Sequence, residues 1–215
     1  MDTDEVRKRE TGTTTVGIKC SDGIILAAER RATAGTLIAC KEADKVLKVK
    51  KHIGMTIAGL VGDAQALNRI LKAQCSLYEI RRGRHITVEG ASTLLGNILQ
   101  QTKYFPYWVQ ILVGGYDDAP RLYSVDAAGG ILTENFISTG SGSPVAYGVL
   151  EDSYKENQSV KDTLSVAARA VTAAMKRDSA SGERVDIAVI DKRGFRKFDK
   201  EEVKRILQTT GKTEK

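Results

Sequence analysis

The sequence predicts an α+β protein in four layers, with two antiparallel β-sheets face to face and a pair of helices covering each outer side. Three observations carry this. The spacing of apolar residues switches from a strand period of two to a helical period and back, twice, along the 215 residues. The helical stretches come in adjacent pairs, which argues against a doubly wound sheet with one helix in each crossover. No internal repeat or linker divides the chain.

The elements follow in order. TTTVGIKC at 13–20 alternates with period two, Ser21-Asp22-Gly23 is a hairpin turn, and 24–30 is a second apolar strand. Short strands fit 36–40, 45–50 and 53–60. After Gly62, Leu67, Ile70, Leu71, Leu77 and Tyr78 recur at helical spacing and predict a helix over 63–82, ended by Gly83. A second helix fits 87–104, with Thr87 as N-cap and Ala91, Leu94, Leu95, Ile98 and Leu99 as its apolar stripe. Strands return at 108–115, 121–126 and 130–138. Ser143-Pro144 reads as a cap followed by proline in the first turn, opening a helix to about Tyr154. The next helix spans 160–177 and turns Leu164, Ala167, Ala168, Val171, Ala174 and Met175 inward. Strands at 184–191 and 195–199, a short helix at 200–208 and a solvated tail, TTGKTEK, complete the chain.

Composition narrows the function. Apolar residues are 41% and charged residues 28%, which is ordinary for a globular protein. No apolar run approaches 18 residues, so a membrane-spanning helix is not expected. The opening MDTDEVRKRETG is too polar for a secretory leader. The net charge of +6 could suit nucleic acid, but the basic residues are scattered among acids, and the densest run, KEADKVLKVKK at 41–51, alternates like a strand. Neither a nucleic-acid nor a membrane partner is expected. Cys20, Cys40 and Cys75 lack metal-ligand spacing, and His52 and His85 sit beside charged residues in loops. Neither a His/Cys zinc site nor a histidine-based triad is expected. Gly211-Lys212-Thr213 lacks the rest of a P-loop.

The informative segment is Gly12-Thr13-Thr14-Thr15. Three threonines in a row could be a plain edge strand. Read together with ERRAT at 29–33, GMTIAGLVGDAQ at 54–65, VDAAGG at 125–130, STGSGSP at 138–144 and KRDSASG at 176–182, the chain resembles the proteasome β subunits of the N-terminal nucleophile hydrolases, most closely archaeal-type catalytic ones. The resemblance runs from Gly12 to about Ile190. It implies the αββα sandwich already read from element order. It also implies a propeptide, residues 1–12, removed by autocatalytic cleavage at Gly12-Thr13, with 13–208 as a single catalytic domain.

The chemistry explains a threonine at that junction. A hydroxyl is a poor nucleophile without a base, and a free α-amine, with an ordinary pKa of about 7.7–8, can be that base on the same residue. An amide nitrogen cannot, so an attached leader silences the site. The resemblance further implies that Lys45, 32 residues after Thr13, is the active-site lysine, paired with Glu29, a position where many members carry Asp. It implies that Ser141, Asp178 and Ser181 hydrogen-bond around the Thr13 amine, and that the Gly59 amide is the oxyanion donor. Lys41, Lys48, Lys50 and Lys51 are expected on solvated faces. Ala32, Ala43, Ile57 and Val61 match the first specificity pocket, and their apolar character implies cleavage after apolar residues. No cofactor or metal is implied. The resemblance implies a cytoplasmic homo-heptameric β ring, stacked on a second β ring and on α-subunit rings. An ATPase regulator would feed it polypeptide substrates. A structural β-type subunit without catalysis is the alternative, although such members usually lack the Gly-Thr junction or the lysine, and this chain has both.

Overall fold

The structure, a computed structural model, describes residues 12–210. Most of the expected leader and the last five residues of the tail lie outside the described residues.

The element order is β1 (Thr15–Lys19), β2 (Gly23–Glu29), β3 (Ala32–Ala34), β4 (Leu37–Cys40), β5 (Val46–Lys50), β6 (Ile53–Gly59), α1 (Val61–Arg82), α2 (Val88–Gln101), β7 (Val109–Tyr116), β8 (Pro120–Val125), β9 (Ile131–Thr133), β10 (Phe136–Thr139), α3 (Ser143–Ser153), α4 (Val160–Met175), β11 (Val185–Asp191), β12 (Gly194–Lys197) and α5 (Lys200–Thr210). One five-stranded sheet runs β10-β1-β2-β11-β12 and the other β5-β6-β7-β8-β9, with every pairing antiparallel. The expected four-layer α+β sandwich is the observed fold.

Three apolar clusters correspond to the three spaces between layers. Ile24, Leu26, Ala28, Leu112, Leu122, Ala188 and Ile190 fill the space between the sheets. Val16, Ile18, Ile25, Ala27, Ile187 and Val189 face α3, α4 and α5 through Ala146, Leu150, Ala167, Val171 and Val203. Met55, Ile57, Ile111 and Val113 meet Leu67, Leu71, Ala91, Leu95 and Leu99 of α1 and α2. Successive residues of β2 thus serve opposite cores, which is why the strand is apolar throughout rather than alternating.

Several local expectations need correction. The predicted strand 130–138 is two strands: β9 pairs with β8 in one sheet and β10 with β1 in the other. The crossing at Glu134-Asn135 carries neither glycine nor proline, so nothing in the composition punctuates it. The segment 36–40 belongs to a separate β3–β4 hairpin, turned at Gly35 (φ 60°), with Leu37 and Ile38 exposed. On α1 the buried stripe is Leu67, Leu71 and Cys75, while Leu77 lies outside it. Ser143 is the first residue of α3 rather than its cap, which is Gly142. Thr87 does cap α2, its hydroxyl accepting the Gly90 amide at 3.0 Å, and Gly83 does end α1 in the left-handed region (φ 64°). The last helix extends through Thr210.

Candidate active site

Strand β1 lies between β10 and β2 in its sheet, and the residues just before it are buried. Thr13 is 3% exposed, and Thr14 and Thr15 are fully buried. The Thr13 carbonyl accepts the Gly142 amide at 3.2 Å, tying the chain start to the Gly140–Gly142 loop. Gly140 is obligatory there. Its φ is 91°, and a Cβ would lie 2.1 Å from the Thr13 carbonyl oxygen.

Around Thr13 the hydrogen bonds form one connected set. Lys45 Nζ donates to Thr13 Oγ1 at 2.7 Å, to a Glu29 carboxylate oxygen and to the Arg31 carbonyl. Glu29 is fully buried and Lys45 nearly so. An ion pair so far from water persists only if its remaining valences are met. They are: the Glu29 carboxylate also accepts the amides of Thr14 at 3.3 Å, Arg31 at 2.6 Å and Gly182 at 3.1 Å. Glutamate in place of aspartate is therefore accommodated, its longer arm held by three backbone donors. Burial pulls the Lys45 ammonium below the ordinary lysine pKa, with Glu29 opposing that shift.

On the other side, the Thr13 amide donates to Ser141 Oγ at 3.1 Å. Ser141 and Ser181 both donate to Asp178 Oδ2, each at 2.6 Å. A hydroxyl has one proton. With the Ser181 proton committed to Asp178, Thr14 must donate in its 2.7 Å contact with Ser181. The Thr13 hydroxyl points its own proton at the Gly12 carbonyl, at 2.6 Å.

Gly12, Thr13, Glu29, Lys45, Ser141, Asp178 and Ser181, predicted from dispersed motifs, are thus brought together. Of the neighbouring lysines, Lys50 pairs with Glu79, and Lys41, Lys48 and Lys51 are exposed. Gly59 lies outside this network, at the end of β6 with φ 129° and its Cα hydrogens close to the Trp108 carbonyl, where a Cβ would be 2.0 Å away. The β6 amides alternate in direction. Leu60 donates to Trp108 on the β7 side, and Ile57 donates to the Lys45 carbonyl on the β5 side. By that alternation the Gly59 amide faces the Lys45 side, one rung beyond Ile57.

The four pocket positions are more dispersed. Ala32 is buried in β3 and Ala43 is half-buried, its amide donating to the Arg30 carbonyl. Ile57 is buried in the cluster between its sheet and α1 and α2, and Val61 is 46% exposed in the first turn of α1.

Sequence reasoning missed several contributors, among them the Arg31 amide and carbonyl that hold Glu29 and Lys45. Thr14 completes the Ser181 link, Thr33 Oγ1 accepts the Gly12 amide at 3.2 Å, and the Gly182 amide holds Glu29. Thr14 and Thr33 stood inside motifs already singled out, so a threonine adjoining the nucleophile was the available cue. A backbone amide leaves no mark on a sequence.

The αββα sandwich places the chain among the N-terminal nucleophile hydrolases. The family described as "Proteasome subunit" matches residues 9–190. Among relatives, "Proteasome subunit beta" of Methanocorpusculum labreanum is 57% identical over 188 residues, covering 86% of this chain and 89% of the relative. The protein of the same name from Methanoregula boonei is 52% identical over 209 residues (96% and 98%), and that from Archaeoglobus profundus is 49% identical over 200 residues (92% and 93%). The chain belongs to the proteasome subunit family, as an archaeal-type β subunit, and is a threonine-type peptidase. No helix among the described residues is long and apolar enough to cross a membrane.

Proposed function

We propose that residues 1–12 are a propeptide, that cleavage at Gly12-Thr13 exposes Thr13 as the N-terminus, and that Thr13 is then the nucleophile of an endopeptidase acting on unfolded polypeptides. The observation that carries this is Lys45 Nζ at 2.7 Å from Thr13 Oγ1, with Glu29 as its buried counter-charge. The Glu29 counter-charge opposes the effect of burial and favours the charged lysine, which places positive charge beside the oxygen that must become nucleophilic.

In the leader-bound chain the Thr13 nitrogen is an amide and only donates, to Ser141. The hydroxyl donates to the Gly12 carbonyl oxygen, which supports an attack of Oγ1 on its own preceding peptide bond. After cleavage the same nitrogen becomes an amine with a lone pair. It takes the proton of Oγ1 as that oxygen bonds to the substrate carbonyl carbon. The oxyanion formed is met by the Gly59 amide. The amine then gives its proton to the leaving nitrogen, the C–N bond breaks, and an acyl ester remains on Oγ1. A water, deprotonated by the same amine, releases the acid and frees the threonine. Ser141, Asp178 and Ser181 keep the amine oriented, Asp178 supplying the negative charge that stabilises its protonated form. This route requires no metal or organic cofactor. Ala32, Ala43, Ile57 and Val61 favour apolar side chains before the cut, with discrimination of about 1–3 kcal/mol per methylene.

The assembly proposed is a heptameric β ring stacked on its twin and on α-subunit rings, served by an ATPase in the cytoplasm. Tyr104 and Phe105 are 82% and 91% exposed, and Trp108 and Leu132 are over half exposed. Such side chains support a subunit contact rather than internal packing. The test is Thr13→Ala in the assembled particle, read by intact mass and by hydrolysis of a fluorogenic peptide. The variant should retain its leader and cleave nothing, whereas the parent chain should lose residues 1–12. A parent chain of unchanged mass would favour the structural, non-catalytic subunit.

A further inference from the structure

We propose that His52, Glu79 and His85 form a site for a divalent transition metal ion, zinc above all, that staples the outer helix layer to the sheet beneath it. The two histidines are 33 positions apart and looked unrelated in the sequence. The fold brings them together with the end of α1. One ligand atom from each of the three residues lies within 4.8 Å of the others.

The ligand chemistry is selective. Two imidazoles and one carboxylate suit zinc and its neighbours in the transition series, whereas magnesium and calcium prefer all-oxygen cages. Ligand atoms of a tetrahedral zinc site stand about 3.4 Å apart, given bonds of about 2.1 Å. His85 Nδ1 is already 3.0 Å from Glu79 Oε1. The two sides to His52 are no longer than 4.8 Å, so closing them takes at most about 1.4 Å, within reach because the His85 side chain is 83% exposed.

The second argument is the fixed state of His52. Its Nε2 lies 2.7 Å from the Ile86 carbonyl, which can only accept, so the ring carries its proton on Nε2. In the neutral ring the lone pair is then on Nδ1. A histidine anchored through one nitrogen to a backbone carbonyl, with the other nitrogen free, is the arrangement metal-ligating histidines commonly use. Ile86 is itself buried, and it follows His85 directly, so the anchor and the ligand move together.

Lys50 also pairs with Glu79, through the other carboxylate oxygen. It leaves Oε1 to the metal but lowers affinity by like-charge repulsion. The ion would join the β5–β6 turn, the last turn of α1 and the α1–α2 connection. His52 adjoins the start of β6 and Gly59 ends it, about 20 Å away at strand rise. The site therefore stabilises without touching the chemistry at Thr13.

The experiment uses the assembled protein carrying Cys40→Ser, which removes the exposed thiol, and reads thermal unfolding and calorimetric binding with zinc chloride. Expected is saturable binding of one zinc per chain and a rise in Tm of about 5–10 °C at a hundredfold excess over Kd. Magnesium chloride should do nothing. His85→Ala should unfold near the parent temperature without zinc and lose at least tenfold in zinc affinity. Lys50→Gln should bind zinc more tightly than the parent. Absence of stoichiometric binding, binding unchanged in His85→Ala, or weakened binding in Lys50→Gln would each overturn the proposal and leave an ordinary Lys50–Glu79–His85 ion-pair group.

Discussion

Lys45→Ala is the perturbation that most sharply separates electrostatic assistance from mere packing. The ammonium lies 2.7 Å from Thr13 Oγ1. At an effective dielectric constant of 20, its attraction for a full negative charge on that oxygen is about 6 kcal/mol. Only part of that charge has developed in the transition state, so about half, roughly 3 kcal/mol, is the expected loss, matching the effect of removing one oxyanion donor. That corresponds to a fall in kcat/KM of about a hundredfold or more. Removal also leaves the Glu29 carboxylate without its counter-ion, which typically costs about 3–5 kcal/mol. The three backbone donors to Glu29 soften this. The variant should therefore fold with a lowered Tm, and Glu29→Gln in the same background should recover stability without recovering rate. The assay is hydrolysis of a fluorogenic peptide, with Tm and intact mass measured on the same preparation. A processed, folded variant turning over within tenfold of the parent would refute the role of Lys45 and of its charge.

Other expectations follow from the same geometry. Gly140→Ala places a Cβ 2.1 Å from the Thr13 carbonyl in a backbone region costly for alanine, so it should lose about 1–3 kcal/mol in unfolding free energy and most of the peptidase rate. Burial pushes the Cys20 and Cys75 thiols up to about 11, so iodoacetamide at neutral pH should label Cys40 alone in the folded chain, by peptide mapping. Burial would raise the Asp117 pKa, but hydrogen bonds from Asp118, the Val88 amide and Arg121 together hold it well below the usual carboxylate range. Its stabilising contribution is therefore complete above the ordinary carboxylate pKa, about 3.9, and is lost as pH falls further. Asp117→Asn should flatten the decline of Tm between about pH 4 and pH 2, a decline that would be unchanged if Asp117 were merely solvated.

Much of the fold was legible because its two periods are strong. The helices at 61–82, 88–101 and 160–175 and the long strands β2, β6, β7 and β11 follow directly from spacing and burial. What escaped has physical causes. The change of sheet at Glu134-Asn135 lies between two short strands with no glycine or proline to mark it, so only tertiary pairing reveals it. Cys75 replaces Leu77 on the buried face of α1 because a four-residue spacing from Leu71 outweighs hydrophobicity. The site residues Thr13, Lys45, Ser141, Asp178 and Ser181 came from family motifs rather than from spacing alone, since Ser141 and Ser181 in Gly/Ser loops look like ordinary turn residues. The convergence of His52 and His85 on Glu79 was invisible, because it depends on the β5–β6 turn lying beneath the end of α1.

The most direct test of the account is the site of reaction of a peptide epoxyketone, an electrophile that closes a ring only with a hydroxyl and a primary amine on one residue. Mass mapping of the inactivated particle should find a single adduct on a peptide beginning at Thr13, joined through both its oxygen and its nitrogen. An adduct elsewhere, or full activity in a particle whose Thr13 nitrogen is still acylated by Gly12, would contradict it.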